Sequence, residues 1–134
     1  MPDLIELEVA TPDRELVHEK VAEVQVPGKD GYLGILPGHA PLLGLLGTGA
    51  LSYAVGSQRH VIAIHGGFLE VLPEHVRVLA NQADRAEDID LERARTALAQ
   101  AQEQVAATAS GGDPEAALDA LALAQARVTA AEQK

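Results

Sequence analysis

The sequence predicts an α+β protein in two parts, an N-terminal β-sandwich followed by a C-terminal αα-hairpin. Three observations carry this. Apolar and polar residues alternate with a period of two in the first part, turn signals cut that part into short runs, and alanine-rich sequence with steps of three and four takes over near residue 86. The boundary falls between residues 1–86 and 87–134.

In the first part, Ile5, Leu7 and Val9 alternate with Glu6 and Glu8, and Ala22, Val24 and Val26 alternate with Glu23 and Gln25. Such runs are half-buried strands, with Glu6 and Glu8 on a solvated face. Further short strands are expected at 51–55, 61–64, 68–72 and 76–80. The turn signals are Thr11-Pro12-Asp13, Gly28-Lys29-Asp30-Gly31, Gly47-Thr48-Gly49, Val55-Gly56-Ser57 and Pro73-Glu74-His75. Two aliphatic faces packed about 10 Å apart would form the core.

In the second part, Leu91, Ala94, Leu98, Ala101 and Val105 make one helical stripe, and Ala117, Leu121, Ala124, Val128 and Ala131 make another. Gly111 and Gly112 end the first helix, Asp113 caps the second, and Pro114 suits its first position. Asp88 is placed to cap the first helix, with Asp90 and Glu92 at its positive end. A short connection makes the pair antiparallel. Each alanine in these seams buries a single methyl, worth about 0.8 kcal/mol, yet alanine is the best helix former. Each helix should therefore persist by itself while the grip between helices is weak, which suits a part that changes its packing.

Composition removes several function classes. The formal net charge of the 134 residues is −10, and three residues are aromatic (Tyr 2, Phe 1, Trp 0). Phosphate-binding surfaces need clustered Lys and Arg with stacking aromatics, so nucleic acid and anionic lipid are not expected as direct partners. There is no cysteine, hence no disulfide, thiolate or Cys-based zinc site. The first residues, MPDLIELEVA, lack the basic and apolar regions of a signal peptide. No apolar run approaches the roughly 20 residues needed to span a bilayer, so membrane association is expected only through another protein.

Candidate chemistry is sparse. His18, His39, His60, His65 and His75 show no metal-ligand spacing, and no metal site is expected. Pro37-Gly38-His39 resembles the second motif of cupin metalloenzymes, but the paired histidines of their first motif are missing. No nucleophile elbow surrounds Ser52, Ser57 or Ser110, and Gly66-Gly67 opens a strand instead of cradling phosphate.

The stretch GYLGILPGHAPLL, residues 31–43, is both apolar and broken by Gly and Pro. It closely resembles the signature loop of the epsilon subunit of bacterial and chloroplast F-type ATP synthases, the counterpart of mitochondrial delta. Gly66-Gly67-Phe68-Leu69-Glu70-Val71 is similar to a second family motif, and Val78-Leu79-Ala80 with Ala86-Glu87-Asp88-Ile89-Asp90 is similar to the junction into the C-terminal helices. The resemblance runs from about Ile5 to the chain end and is architectural beyond residue 94. It implies a ten-stranded antiparallel β-sandwich and a two-helix hairpin. It also implies a noncatalytic rotor subunit, coupling the c-subunit ring to gamma and conditionally touching the alpha/beta catalytic head. The place implied is the cytoplasmic face of the bacterial cell membrane, with the plastid thylakoid as alternative.

The resemblance assigns residues too. Tyr32, Leu36, Pro37, Gly38, His39, Ala40 and Pro41 would meet the c ring or gamma, with Tyr32 standing where many relatives carry an acid. Ile89-Asp90-Leu91-Glu92-Arg93-Ala94 is similar to an ATP-binding motif of some relatives. Ile89, Asp90 and Ala94 would then serve adenine, and Arg93 and Arg127 the phosphates. No cofactor is required; ATP would be a regulatory ligand. A second helix-two arginine of those relatives is Leu123 here, and one lost charge-assisted contact is worth about 1.5–3 kcal/mol. The hairpin resembles the family's inhibitory element, but its second helix offers only Arg127 and Lys134 as cations, so inhibition should be weak or conditional. Two other readings stay open beside the rotor subunit: a cupin-like metal-binding protein and a free-standing helical-hairpin adaptor.

Overall fold

The computed structural model describes residues 4–133; residues 1–3 and Lys134 lie outside it. Seven strands precede two helices. They are β1 (Ile5–Ala10), β2 (Glu15–Val21), β3 (Glu23–Gly28), β4 (Gly31–Ile35), β5 (Leu42–Val55), β6 (Gln58–Leu72) and β7 (His75–Arg85), then α1 (Leu91–Ala107) and α2 (Pro114–Glu132). The strands form one sheet in the order β2-β1-β7-β6-β5-β3-β4. The sheet doubles over on itself: β2 lies against β5 although three strands separate them in the hydrogen-bonded order. The enclosed core joins Ile5, Leu7 and Val9 of β1 to Leu51 of β5, Ile62, Ile64, Leu69 and Val71 of β6, and Val76 and Val78 of β7.

The strand count differs from the ten expected, and two glycine stretches explain the difference. Gly47-Thr48-Gly49 and Gly66-Gly67 lie inside β5 and β6 and interrupt neither strand. Ladder pairing skips Gly47 opposite Gly66, and Gly66 opposite Asn81, then resumes in the same register. Across this line the core-facing positions change parity. In β6 they pass from Ile62 and Ile64 to Leu69 and Val71, and in β7 from Val76, Val78 and Ala80 to Ala83. Gly67 has φ +125°, and a side chain there would run into the Leu79 carbonyl and the Ala80 Cα, so only glycine allows the close crossing. Counting β5, β6 and β7 as two segments each recovers ten. The sheet is also not wholly antiparallel, because β1 pairs with β7 in parallel.

The turns at 11–14, 29–30, 56–57 and 73–74 fall where the sequence placed them. The stretch 31–43 is more regular than expected. Its first five residues are β4, an edge strand on β3, and only Leu36–Pro41 is irregular before β5 begins.

A 3-10 turn over Ala86–Asp88 leads into α1. The cap is Asp90, not Asp88: its side chain accepts from the Arg93 N–H at 3.2 Å. Ile89 is extended and buried, so the helix cannot begin until after it. Asp113 caps α2 as expected, accepting from the N–H groups of Glu115 and Ala116 at 3.0 and 3.2 Å. The two helices pack against each other, and α2 lies on the outer face of β5 and β6. β6 is therefore covered on both faces, Ile62 and Ile64 by the sandwich core and Val61 and Ala63 by the hairpin.

Candidate functional site

The outer face of the sheet is divided at the glycine line. On one side the hairpin covers it. On the other, Leu43 and Leu45 of β5, Phe68 of β6 and Leu79 of β7 face solvent, Leu43 at 79% and Phe68 at 64% of full exposure. Leu45, Phe68 and Leu79 are direct cross-strand partners and make one row. They line a shallow cleft of about 430 Å³, edged by Glu70 and Arg77. Leu36 and Leu72 are exposed as well. A contiguous aliphatic face of this kind marks a surface that another chain covers.

The turn Leu36–Pro41 is held beside this face by backbone bonds. The Gly38 N–H donates to the Pro73 carbonyl at 2.7 Å, and the His39 N–H donates to the Leu36 carbonyl at 3.1 Å. Gly38 has φ +87°, a conformation glycine adopts freely. His39 Nδ1 lies 2.7 Å from the Ala40 carbonyl, so the ring is turned back on its own loop. Ala40 and Pro41 are exposed and Pro37 half-buried. Tyr32 is 61% exposed, but its hydroxyl accepts the Ala50 N–H at 3.0 Å. That hydroxyl braces β4 on β5.

Sequence reasoning assigned the turn and missed Leu43, Leu45, Phe68 and Leu79. The signal was present: LLGLL at 42–46 is apolar at both parities, and a strand with one core face needs a second cover in that case.

Among the described residues, none of the clefts lined by Arg127 or by the sheet gathers the hairpin positions together. Ile89 and Ala94 are buried with Val61, Ala63, Ala126 and Val128 between hairpin and sheet. Asp90 is occupied as a helix cap. The Arg93 side chain is exposed and has no polar partner among the described residues. Arg127 Nε donates to Asp84 of β7 at 2.9 Å, in a cleft whose lining includes Thr11, Arg14 and Asn81 but none of Ile89, Asp90, Arg93 or Ala94. Leu123 is half-buried in α2. A second tie joins His65 Nε2 of β6 to the Asp119 carboxylate at 3.0 Å.

A third cluster stands on β1, β2 and β7, where Arg77 holds Glu8 through a 3.1 Å bond. This bond in the first place keeps the Glu8 carboxyl below its ordinary value of 4.5. His18 is held above its ordinary 6.5, chiefly by its bond to Glu6. Tyr53, stacked on His60 with ring centroids 5.0 Å apart, is pushed up to about 12, first by burial and then by Glu19, and remains a neutral phenol.

A doubled sheet with one bare aliphatic face and a helical pair tied to the other half defines an assembly subunit, a body shaped to be covered. Comparison with known proteins agrees. Residues 4–86 match the family model described as the ATP synthase delta/epsilon chain β-sandwich domain. The ATP synthase epsilon chain of Solibacter usitatus is 60% identical over all of both chains. That of Koribacter versatilis is 45% identical over 78% of this chain and 74% of the relative. A chain in the structure of the Euglena gracilis mitochondrial ATP synthase, OSCP/F1/c-ring in rotational state 1, superposes with a TM-score of 0.82. It is 27% identical and covers 98% of this chain and 83% of that one. The chain belongs to the ATP synthase delta/epsilon chain family.

Proposed function

We propose that the chain is the noncatalytic rotor subunit of an F-type ATP synthase central stalk, coupling c-ring rotation to gamma and so to the catalytic head. The single observation that carries the reading, beyond family membership, is the bare aliphatic row Leu45–Phe68–Leu79 with Leu43 beside it. In this reading gamma covers that row, and the turn from Leu36 to Pro41 meets the c ring. A doubled sheet with a solid aliphatic core is stiff, as torque transmission requires. Among the described residues no helix is long and apolar enough to cross a membrane. In this reading, as the family resemblance implies, the chain sits peripherally at the cytoplasmic face, held by its partners. The test is copurification with gamma and the c ring. Phe68→Asp should abolish recovery while leaving the isolated chain folded; recovery unchanged by Phe68→Asp would reject this docking face.

The hairpin is the regulatory part of the proposal. Released from the sheet, it would reach the alpha/beta head and slow ATP hydrolysis weakly. Deleting residues 88–134 should raise hydrolysis by the assembled complex, and no increase would remove the inhibitory role. ATP is proposed as a weak ligand of the same hairpin, because Arg93 is uncommitted while Arg127 must exchange Asp84 for phosphate. Calorimetric titration with magnesium-ATP checks this, with Arg93→Ala expected to lower affinity further.

A further inference from the structure

β5 leaves the ladder of its neighbour β3 for several residues. β3 pairs Gln25 with Ser52 of β5 and next pairs Gly28 with Leu46, three steps on one strand against six on the other. Residues 47–51 of β5 therefore bulge away from β3. A bulge leaves backbone groups without ladder partners, and each such group needs another. The Ala50 N–H finds one outside the ladder: it donates to Tyr32 Oη at 3.0 Å. Tyr32 belongs to β4, on the far side of β3 from β5. Its phenol thus reaches across a whole strand to stand where a β3 carbonyl is missing.

Two features make this bond a fitted contact. First, the strand beneath it is cut away to admit the phenol. A side chain at Gly49 would stand 2.5 Å from Tyr32 Oη and 3.0 Å from Pro27 Cβ. The backbone of Gly49 lies outside the left-handed region, so its own conformation does not call for glycine; room for the phenol does. Second, Ala50 belongs to the floor of the hairpin. It pairs with Ala63 of β6 and packs against the cluster that joins Ala63 to Ala126 and Val128 of α2. The backbone of Ala50 is tied to the edge strand, and its methyl to the hairpin.

We propose that Tyr32 is a positioning residue that joins the edge strand β4, and the turn Leu36–Pro41 that follows it, to the floor of the hairpin. A displacement of that edge moves the phenol and, with it, the Ala50 backbone under α2. The contacts above that floor are mostly alanine methyls, and attraction between such groups falls off within a fraction of an ångström. In the rotor reading the turn meets the c ring, so the contact that drives the chain would also bias the hairpin between packed and released. That consequence rests on the rotor reading; the strut from β4 to the hairpin floor rests on the geometry alone.

The experiment is residue-resolved hydrogen exchange on the isolated full chain, whose outcome is independent of the rotor reading. Tyr32→Phe removes the hydroxyl and keeps the ring. The Ala50 amide should then exchange faster by about two- to tenfold, as loss of one hydrogen bond implies. The α2 amides from Ala124 to Ala131 should quicken with it, while those of Leu7 and Val78 stay unchanged. Gly49→Ala should expel the phenol and give the same pattern, and adding Tyr32→Phe to it should change nothing more at Ala50. Circular dichroism establishes that each variant is folded; if Gly49→Ala unfolds, Tyr32→Phe carries the comparison by itself. Unchanged exchange at Ala50 in Tyr32→Phe would overturn the strut. Faster exchange at Ala50 with α2 unchanged would overturn its reach to the hairpin, and additive effects of the two substitutions would overturn the fit between Gly49 and the phenol.

Discussion

The sandwich core and the hairpin interface are both fully apolar, yet they are built from different residues. Of the twenty described residues buried within the sheet, only Ala80 and Ala83 are alanine. Of the nine between sheet and hairpin, six are: Ala63, Ala86, Ala94, Ala126, Ala130 and Ala131. Burial is comparable, so the difference lies in how much each side chain removes from water. A buried leucine or isoleucine contributes about 1.5–3 kcal/mol, an alanine methyl about 0.8. Two exposed-edge tethers, Arg127–Asp84 and His65–Asp119, supplement the weaker interface. One half of the molecule is thus held shut by volume, the other by many small contacts that can be given up together.

The comparison is tested most severely by large-to-small substitution in the sheet. Ile64→Ala should lower unfolding free energy by about 2–5 kcal/mol, measured by urea denaturation, with the whole chain unfolding earlier. If Ile64→Ala costs less than a hairpin substitution, the contrast fails. Next comes Ala130, fully buried in α2. Ala130→Leu should overpack the interface by about 1–3 kcal/mol. Hydrogen exchange should then quicken throughout α2 while the amides of Ile62 and Ile64 stay protected. Equal acceleration in both would mean that the two regions unfold as one unit.

Smaller effects sharpen the picture. Asp84→Ala removes the Arg127 tether. Both side chains are more than a third exposed, at 38% and 34% for Arg127 and Asp84. A pair this open to solvent is worth at most about 1 kcal/mol. The loss should appear as faster exchange in α2 and a barely shifted urea midpoint. The last effect is silent at neutral pH and appears only in the alkaline range. Tyr53 titrates near 12 in the fold against 10.0 unfolded. Its raised value contributes stability that is complete below pH 10 and is lost as pH rises toward 12. Ultraviolet titration should show a late phenol that Tyr53→Phe removes; a titration curve unchanged by Tyr53→Phe above about pH 11 would mean that the ring is not held as described.

Much of this protein is written in its local sequence. Period-two alternation at Ile5–Val9, the turn at Val55-Gly56-Ser57 and the Asp113-Pro114 helix start depend on neighbours a few residues away, so they can be read directly. The signature stretch before Leu43 and the Gly66-Gly67 motif were enough to indicate the family. What tertiary structure alone decided is everything set by register between distant strands. Gly47 reads as part of a turn and Gly66 as the start of a strand, and they become a bend only because long strands cross there. Leu45, Phe68 and Leu79 take the outer face only through their pairing with one another. Glu6, Glu8, His18 and Arg77 have no meaningful spacing until β1 stands between β2 and β7. The physical reason is that a side chain's face in a sheet is fixed by hydrogen bonding to partners far along the chain, and one residue of slip reverses it.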